Sequence, residues 1–343
     1  MKVLIVKISA LGDIIHSLPV AMAIKRQRPQ AVIDWVVEAP SYNLLQGHEA
    51  LRRVFLSPRH ALRANWQGNW RLLPAFIRQL RAERYDAVLD LQGLMKSSLF
   101  VLLSRGNKKI GFKGGKEPLA AWPLNVALPP YDIERHALDR YLDLLAPLGF
   151  KRPAMVEYGL KPKDEYMELW RGRLAGLGPL VVMHPVAKWD TKLWPEEHWA
   201  ALIRALIAAG ARVALSGALE DRAVNARIMQ LAGTAVLDLS GCTSLQELMA
   251  VLALADTVVS TDTGVMHLAA ALKRPLVALF GPTAPNRTGP YGMPDSVQVS
   301  PAPCRPCFKR VCMNPQCMVN LSPGQVAAAV LQKLKEMRQL CNF

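Results

Sequence analysis

The feature that most constrains this chain is an alternation of two kinds of segment. Short apolar runs rich in β-branched residues are followed by longer stretches with apolar residues at helical spacing. In the second half the series reads PLVVMHP, PEEHWAALIRALIAAG, ARVALSG, LEDRAVNARIMQLAG, AVLDLS, SLQELMAVLALA, DTVVST, GVMHLAAALK and PLVALFG. Runs that are apolar throughout suit strands buried on both faces, and strands separated by helices must cross over, so they pair in parallel. One helix starts at a proline, Pro195, and stops at a glycine, Gly210, as helix ends favour.

The first half repeats the pattern less clearly. KVLIVKI, AVIDWVVE and YDAVLDLQG read as strands. Helices are expected from about Ile14 to Lys25, over LMKSSLFVLLS and over IERHALDRYLDLLAPLG. Proline and charge gather between Leu160 and Pro179, which marks a link. At 343 residues the chain exceeds what one core usually supports. The expectation is an α/β fold of two Rossmann-like, doubly wound domains facing a cleft, residues 1–165 and 175–320. An amphipathic helix within 321–343 is expected to pack back on the first domain.

Charge narrows the partners. The formal net charge is +15, which calls for nucleic acid, an anionic membrane surface or a phosphorylated substrate. Nothing resembles a helix-turn-helix, an RNA-recognition fold or a zinc-finger array, so nucleic acid is set aside. No uncharged apolar run reaches the roughly 18 residues of a membrane span, so a cytoplasmic chain with peripheral membrane contact is expected. Four of the six cysteines cluster in CRPCFKRVCMNPQC, as Cys304, Cys307, Cys312 and Cys317. In a cytosolic protein that pattern points to metal before disulfide. The second pair is spaced more widely than in a zinc ribbon, and a loop of reduced thiols is the plainer alternative.

Ligands of open parallel sheets bind at the carboxyl ends of strands. Three such ends here are polar. KISALGDIIH carries Ser9 and Asp13; only Gly12 of a dinucleotide fingerprint is present, which argues against a nicotinamide or flavin cofactor. Asp13 is either a first-turn carboxylate that suits the helix dipole or a general base in the cleft. HPVAKWDTKLWPEEHW places Lys188 and Lys192 before a helix start, where cations and free amides suit phosphate. STDTGVMHLAAALKRPLVALFGPT brings Asp262, Thr263 and Gly264 to a strand-to-helix turn, with His267 one turn further along. Gly264 permits close backbone approach, and the free amides suit a diphosphate. Asp262 alone would also serve as an N-cap.

KISALGDIIHSLP, DAVLDLQGLMKSS and the last two stretches, in that order, resemble the lipopolysaccharide heptosyltransferases of glycosyltransferase family nine, nearest to type I. The resemblance implies the GT-B fold and an inverting, metal-independent transfer without a cofactor. The implied donor is ADP-L-glycero-D-manno-heptose and the implied acceptor the Kdo sugar of Kdo2-lipid A, in inner-core synthesis. Type II members use the first heptose instead, and a family transferase of another sugar is a further alternative. The resemblance implies that Asp13 deprotonates the acceptor and Lys192 neutralises the leaving diphosphate. It puts Lys188, Glu220, Asp262, Thr263, Gly264 and His267 at the donor. Ser9, Arg59, Arg63, Lys96, Lys113 and Lys116 are expected at the acceptor, the basic ones forming a face for its phosphates and carboxylates, with an ordinary solvated basic surface as the alternative. A monomer peripheral on the cytoplasmic side of the inner membrane follows. Two features depart from type I: Ala187 and Lys188 replace threonines, and the cysteine cluster is more like type II and other branches.

Overall fold

The computed structural model describes residues 1–341. The chain divides into two compact units, Met1–Leu160 and Lys161 onward.

The first unit is built on six parallel strands: β1 (Lys2–Val6), β2 (Val32–Val37), β3 (Arg53–Leu56), β4 (Arg84–Asp90), β5 (Arg105–Phe112) and β6 (Val126–Leu128). Their order is β3-β2-β1-β4-β5-β6. β1 lies in the middle, and Val3, Leu4, Ile5 and Val6 are wholly buried, as an apolar run between two helix layers requires. It pairs on one side with β2, Ile5 facing Trp35, and on the other with β4, Val6 facing Asp90. Three helices matter to the site: α1 (Leu11–Gln27), α2 (Met95–Leu103) and α3 (Ala137–Asp143). Helix α1 starts earlier than its periodicity suggests, so Asp13 stands inside its first turn.

The second unit repeats the plan with β7 (Leu180–His184), β8 (Arg212–Leu215), β9 (Leu237–Asp238), β10 (Thr257–Thr261), β11 (Leu276–Phe280) and β12 (Val297–Val299). The order β12-β11-β10-β7-β8-β9 is the same winding: the first strand of each unit sits between its second and fourth. Helices α4 (Glu196–Ala208), α5 (Arg222–Ala232), α6 (Leu245–Leu254), α7 (Gly264–Ala271) and α8 (Pro323–Cys341) complete it. Val326, Ala327, Val330 and Leu334 of α8 belong to the core that holds Trp199 and Ile203 of α4. The final helix, expected to return to the first domain, thus packs within the second unit. Among the described residues no helix is long and apolar enough to cross a membrane.

This winding creates a switch point in each unit, where neighbouring strands lead their connections to opposite faces and leave a crevice at their carboxyl ends. In the first unit the crevice lies between β1 and β4, and in the second between β7 and β10. The loop carrying Asp13 and the loops carrying Lys192 and Asp262 leave from those strands. β3 and β5 fall outside the runs that read as strands in the sequence. β5 is RGNKKIGF, too polar to register as a buried strand.

Candidate active site

At the switch point of the first unit, Asp13 is held by two partners. Its Oδ1 accepts from the Tyr141 hydroxyl at 3.2 Å, and its Oδ2 accepts from the Ala10 amide at 3.3 Å. Behind them lies a buried lysine. Lys7 donates to the Tyr141 hydroxyl at 2.8 Å and to the Leu91 carbonyl at 3.1 Å, and stands 3.8 Å from Asp13. Burial is the largest influence on Lys7 and lowers its pKa, while the carboxylates of Asp13 and Asp90 raise it. Burial likewise raises the Tyr141 hydroxyl well above its usual range, so it stays protonated and donates. Lys7, Tyr141 and Asp13 form a chain from the core to a carboxylate whose side chain remains 40% exposed.

The loop after β4 fixes the loop after β1. Asp90 accepts from the Gln92 and Gly93 amides, each at 3.0 Å, and the Gln92 side chain accepts from the Ile8 and Ser9 amides, each at 3.2 Å. Ser9 in turn accepts from Lys96 at 2.6 Å. Burial lowers the Lys96 pKa, with Glu38, Arg59, Asp13 and Arg63 as its charged neighbours. Ser9, Arg59, Arg63 and Asp13 are thus neighbours of Lys96, with Arg59 tied to Glu38 at 2.9 Å. Lys113 and Lys116 are exposed on the loop after β5. A pocket beside Tyr141 is lined by Asp90, Gln92, Gly115, Glu117 and Arg140.

In the second unit, Ser260 of β10 faces His184 of β7, so the loops that follow the two strands emerge side by side. Lys192 reaches across and donates to Asp262 Oδ2 at 2.7 Å and to the Asp262 carbonyl at 3.1 Å. The Thr283 hydroxyl donates to the same Oδ2 at 2.8 Å, and His267 Nε2 lies 3.9 Å from Oδ1. Lys192 also sits over the Trp189 ring, 4.6 Å from its centroid. Asp262 is thus not the cap of α7. The cap position is Thr263, whose hydroxyl pairs with Ser260 at 3.0 Å and makes no capping bond to the helix. An uncapped helix start next to an anchored lysine is suited to an anion. Lys188 and Glu220 are exposed, Glu220 on a 3₁₀ turn after β8, where Asp221 instead caps the turn through the Ala218 amide at 2.7 Å.

The cysteine segment braces this site. The Cys307 amide donates to the Pro282 carbonyl at 3.0 Å, just before Thr283. Cys317 packs against Gly281, where a side chain would collide with it and with Met318. On the other flank, Thr191 donates to the Lys309 carbonyl at 2.7 Å, and Arg310 stacks on Trp189 at 5.0 Å. Cys317 is buried while Cys304 and Cys312 are exposed, and burial is the main cause of the raised Cys317 pKa. Among the described residues no group of three or more His, Cys, Asp or Glu side chains is arranged to hold a metal ion.

Sequence reasoning missed Tyr141, Lys7 and Thr283. Lys7 had a signal: a lysine at the end of an otherwise wholly buried strand needs a partner.

Two doubly wound parallel units, each with polar groups at its switch point, make up the GT-B fold. The chain belongs to glycosyltransferase family 9 (heptosyltransferase), whose family model matches residues 73–318. It is similar to lipopolysaccharide heptosyltransferase 1 of Pseudomonas aeruginosa, 35% identical over 95% of this chain and 96% of that protein. The protein of the same name from Escherichia coli K12 is 36% identical over 85% of this chain and 91% of its own length. Among solved structures, E. coli heptosyltransferase WaaC with ADP superposes with a TM-score of 0.80 at 31% identity, covering 97% of this chain and all of that one.

Proposed function

We propose that this enzyme moves L-glycero-D-manno-heptose from ADP-heptose to the Kdo sugar of Kdo2-lipid A, inverting the anomeric carbon. The observation that carries the reading is the Lys192–Asp262 pair beside the uncapped start of α7. Asp262, itself fixed by the Thr283 hydroxyl, holds the ammonium of Lys192 where it meets the charge that builds on the leaving diphosphate, and the free amides of Gly264 and its neighbours add to it. Asp13 takes the proton from the acceptor hydroxyl as that oxygen attacks the anomeric carbon, and ADP departs on the opposite face. Tyr141 and Lys7 orient the carboxylate. Ser9, Lys96, Arg59 and Arg63 give the acceptor's carboxylates and phosphates a basic seat. With lysine and helix amides facing the diphosphate, the proposed reaction needs neither metal nor cofactor.

The ADP in the WaaC structure supports this donor, and the type 1 names of the relatives favour the type I reaction. The proposed setting is the cytoplasmic face of the inner membrane, reached as a peripheral monomer and supported by the +15 net charge. The test is transfer from ADP-heptose to Kdo2-lipid A and to heptosyl-Kdo2-lipid A in parallel, with EDTA present, followed by mass spectrometry. The expected product is heptose on the first acceptor alone. Transfer to the second alone assigns the type II reaction. Transfer to neither rejects the proposed pairing of donor and acceptor, and activity lost to EDTA rejects the metal-free mechanism.

A further inference from the structure

We propose that α2 and the segment after β5 form the face by which this protein sits on an anionic lipid bilayer. Met95, Leu99 and Leu102 recur at the spacing of one helix face, and all three point outward, 50%, 48% and 42% exposed. The segment 113–122 adds Leu119 and Trp122, 73% and 76% exposed. The two pieces are tied together: the Met95 amide donates to the Glu117 carboxylate at 2.6 Å. A soluble surface rarely gathers five large apolar side chains without a partner.

Charge selects that partner. From Met95 to Trp122 there are six basic residues and one acidic residue. Four of them, Lys96, Lys109, Lys113 and Lys116, lie on or beside these two pieces. Lys109 donates to the Leu102 carbonyl at 3.2 Å and so marks the carboxyl end of α2. Lys96 stands near the other end, and Lys113 and Lys116 precede Leu119. Apolar side chains flanked by lysine, with a tryptophan among them, match the boundary between headgroups and acyl chains. A protein partner would need an acidic rim around an apolar centre, and nothing on this chain favours that over lipid.

The same segment also faces inward. Ala120 is buried and, with Ala121 and Glu117, lines the pocket that Tyr141 shares. Tyr141 holds Asp13. Seating Leu119 and Trp122 in the bilayer therefore brings the headgroup layer beside the proposed base. The inference deepens the proposed function and rests on it only for the identity of the lipid acceptor.

The test is co-sedimentation of the full chain with vesicles of equimolar phosphatidylglycerol and phosphatidylcholine, against vesicles of phosphatidylcholine alone. Binding to the anionic vesicles that weakens with salt is expected. The double substitution Leu99→Asp with Trp122→Asp is expected to weaken it about tenfold or more. Transfer to an acyl-free Kdo acceptor in solution stays unchanged in that variant. Leu119→Ser, a milder exposed change, is expected to act in the same direction. Equal binding by variant and parent, equal binding to neutral vesicles, or no binding by the parent overturns the inference. The vesicle assay involves no sugar transfer, so failure of the heptose reading shows separately, as absent turnover with vesicle binding intact.

Discussion

Asp13 and Asp262 each follow a strand that borders the switch point of its unit, Asp13 in the first helical turn after β1 and Asp262 in the loop after β10. They are used in opposite ways. The Asp13 side chain is 40% exposed, with Tyr141 as its side-chain hydrogen-bond donor, whereas Asp262 is 6% exposed and its Oδ2 is taken by Lys192 and Thr283. An outward carboxylate on a rigid helix turn can exchange a proton with a ligand. A buried one, already paired, serves to aim a cation. The comparison teaches that aspartate after a strand end is a position, and that burial decides its chemistry.

The largest effects follow from the outward site. Asp13→Ala is expected to lower turnover by about two to four orders of magnitude while ADP affinity and melting temperature hold. Full activity in that variant, or lost ADP binding, removes Asp13 from the role of base. Lys192→Ala is expected to cost about 10²–10³ in turnover, the scale of one lost electrostatic donor, and calorimetry is expected to show weaker ADP binding as well.

Asp262→Ala sharpens the contrast because it attacks a pair with little solvent around it. Removing one partner of a buried pair costs about 3–5 kcal/mol, so this variant loses stability as well as turnover. A urea midpoint equal to that of the parent would show that the two aspartates are not differently used. Tyr141→Phe is the smaller test on the outward side. It deletes one hydrogen bond to Asp13, worth about 1 kcal/mol, so turnover falls roughly fivefold with KM little changed. A change in KM alone would place Tyr141 against the substrate instead.

The sequence shows one member of each constellation and hides its partners. Asp13, Lys192 and Asp262 lie within a few residues of apolar strands, where hydropathy marks the strand end. Tyr141 lies on α3, 128 residues from Asp13, and Thr283 follows β11, 21 residues from Asp262. Only the strand order brings them together. β5 was missed for a physical reason: its lysines reach outward, Lys109 to the Leu102 carbonyl of α2 and Lys108 to the Pro147 carbonyl, so it lacks the apolar signature that made β1 and β7 obvious. The final helix was found by its periodicity, but an amphipathic face does not say which core it covers, and here it is the core of α4. Asp262 fits a cap by spacing, and only the reach of Lys192 from the neighbouring loop shows that its carboxylate is engaged elsewhere.

Acid separates the two sites more gently. His184 ends β7 beside the Asp262 loop, with Nδ1 3.0 Å from the Ser216 hydroxyl, which donates to the Met183 carbonyl at 3.2 Å. That hydroxyl has spent its proton, so the imidazole is assigned as the donor through Nδ1. Burial lowers the His184 pKa from 6.5 to about 4. The folded imidazole therefore stays neutral while the unfolded chain takes up a proton, and stability present above pH 6.5 is lost as pH falls toward about 4. His184→Gln removes that proton uptake. Urea unfolding across this pH window is expected to show a smaller loss for the variant than for the parent. Equal slopes for His184→Gln and the parent would mean that other groups carry the acid sensitivity of the second unit.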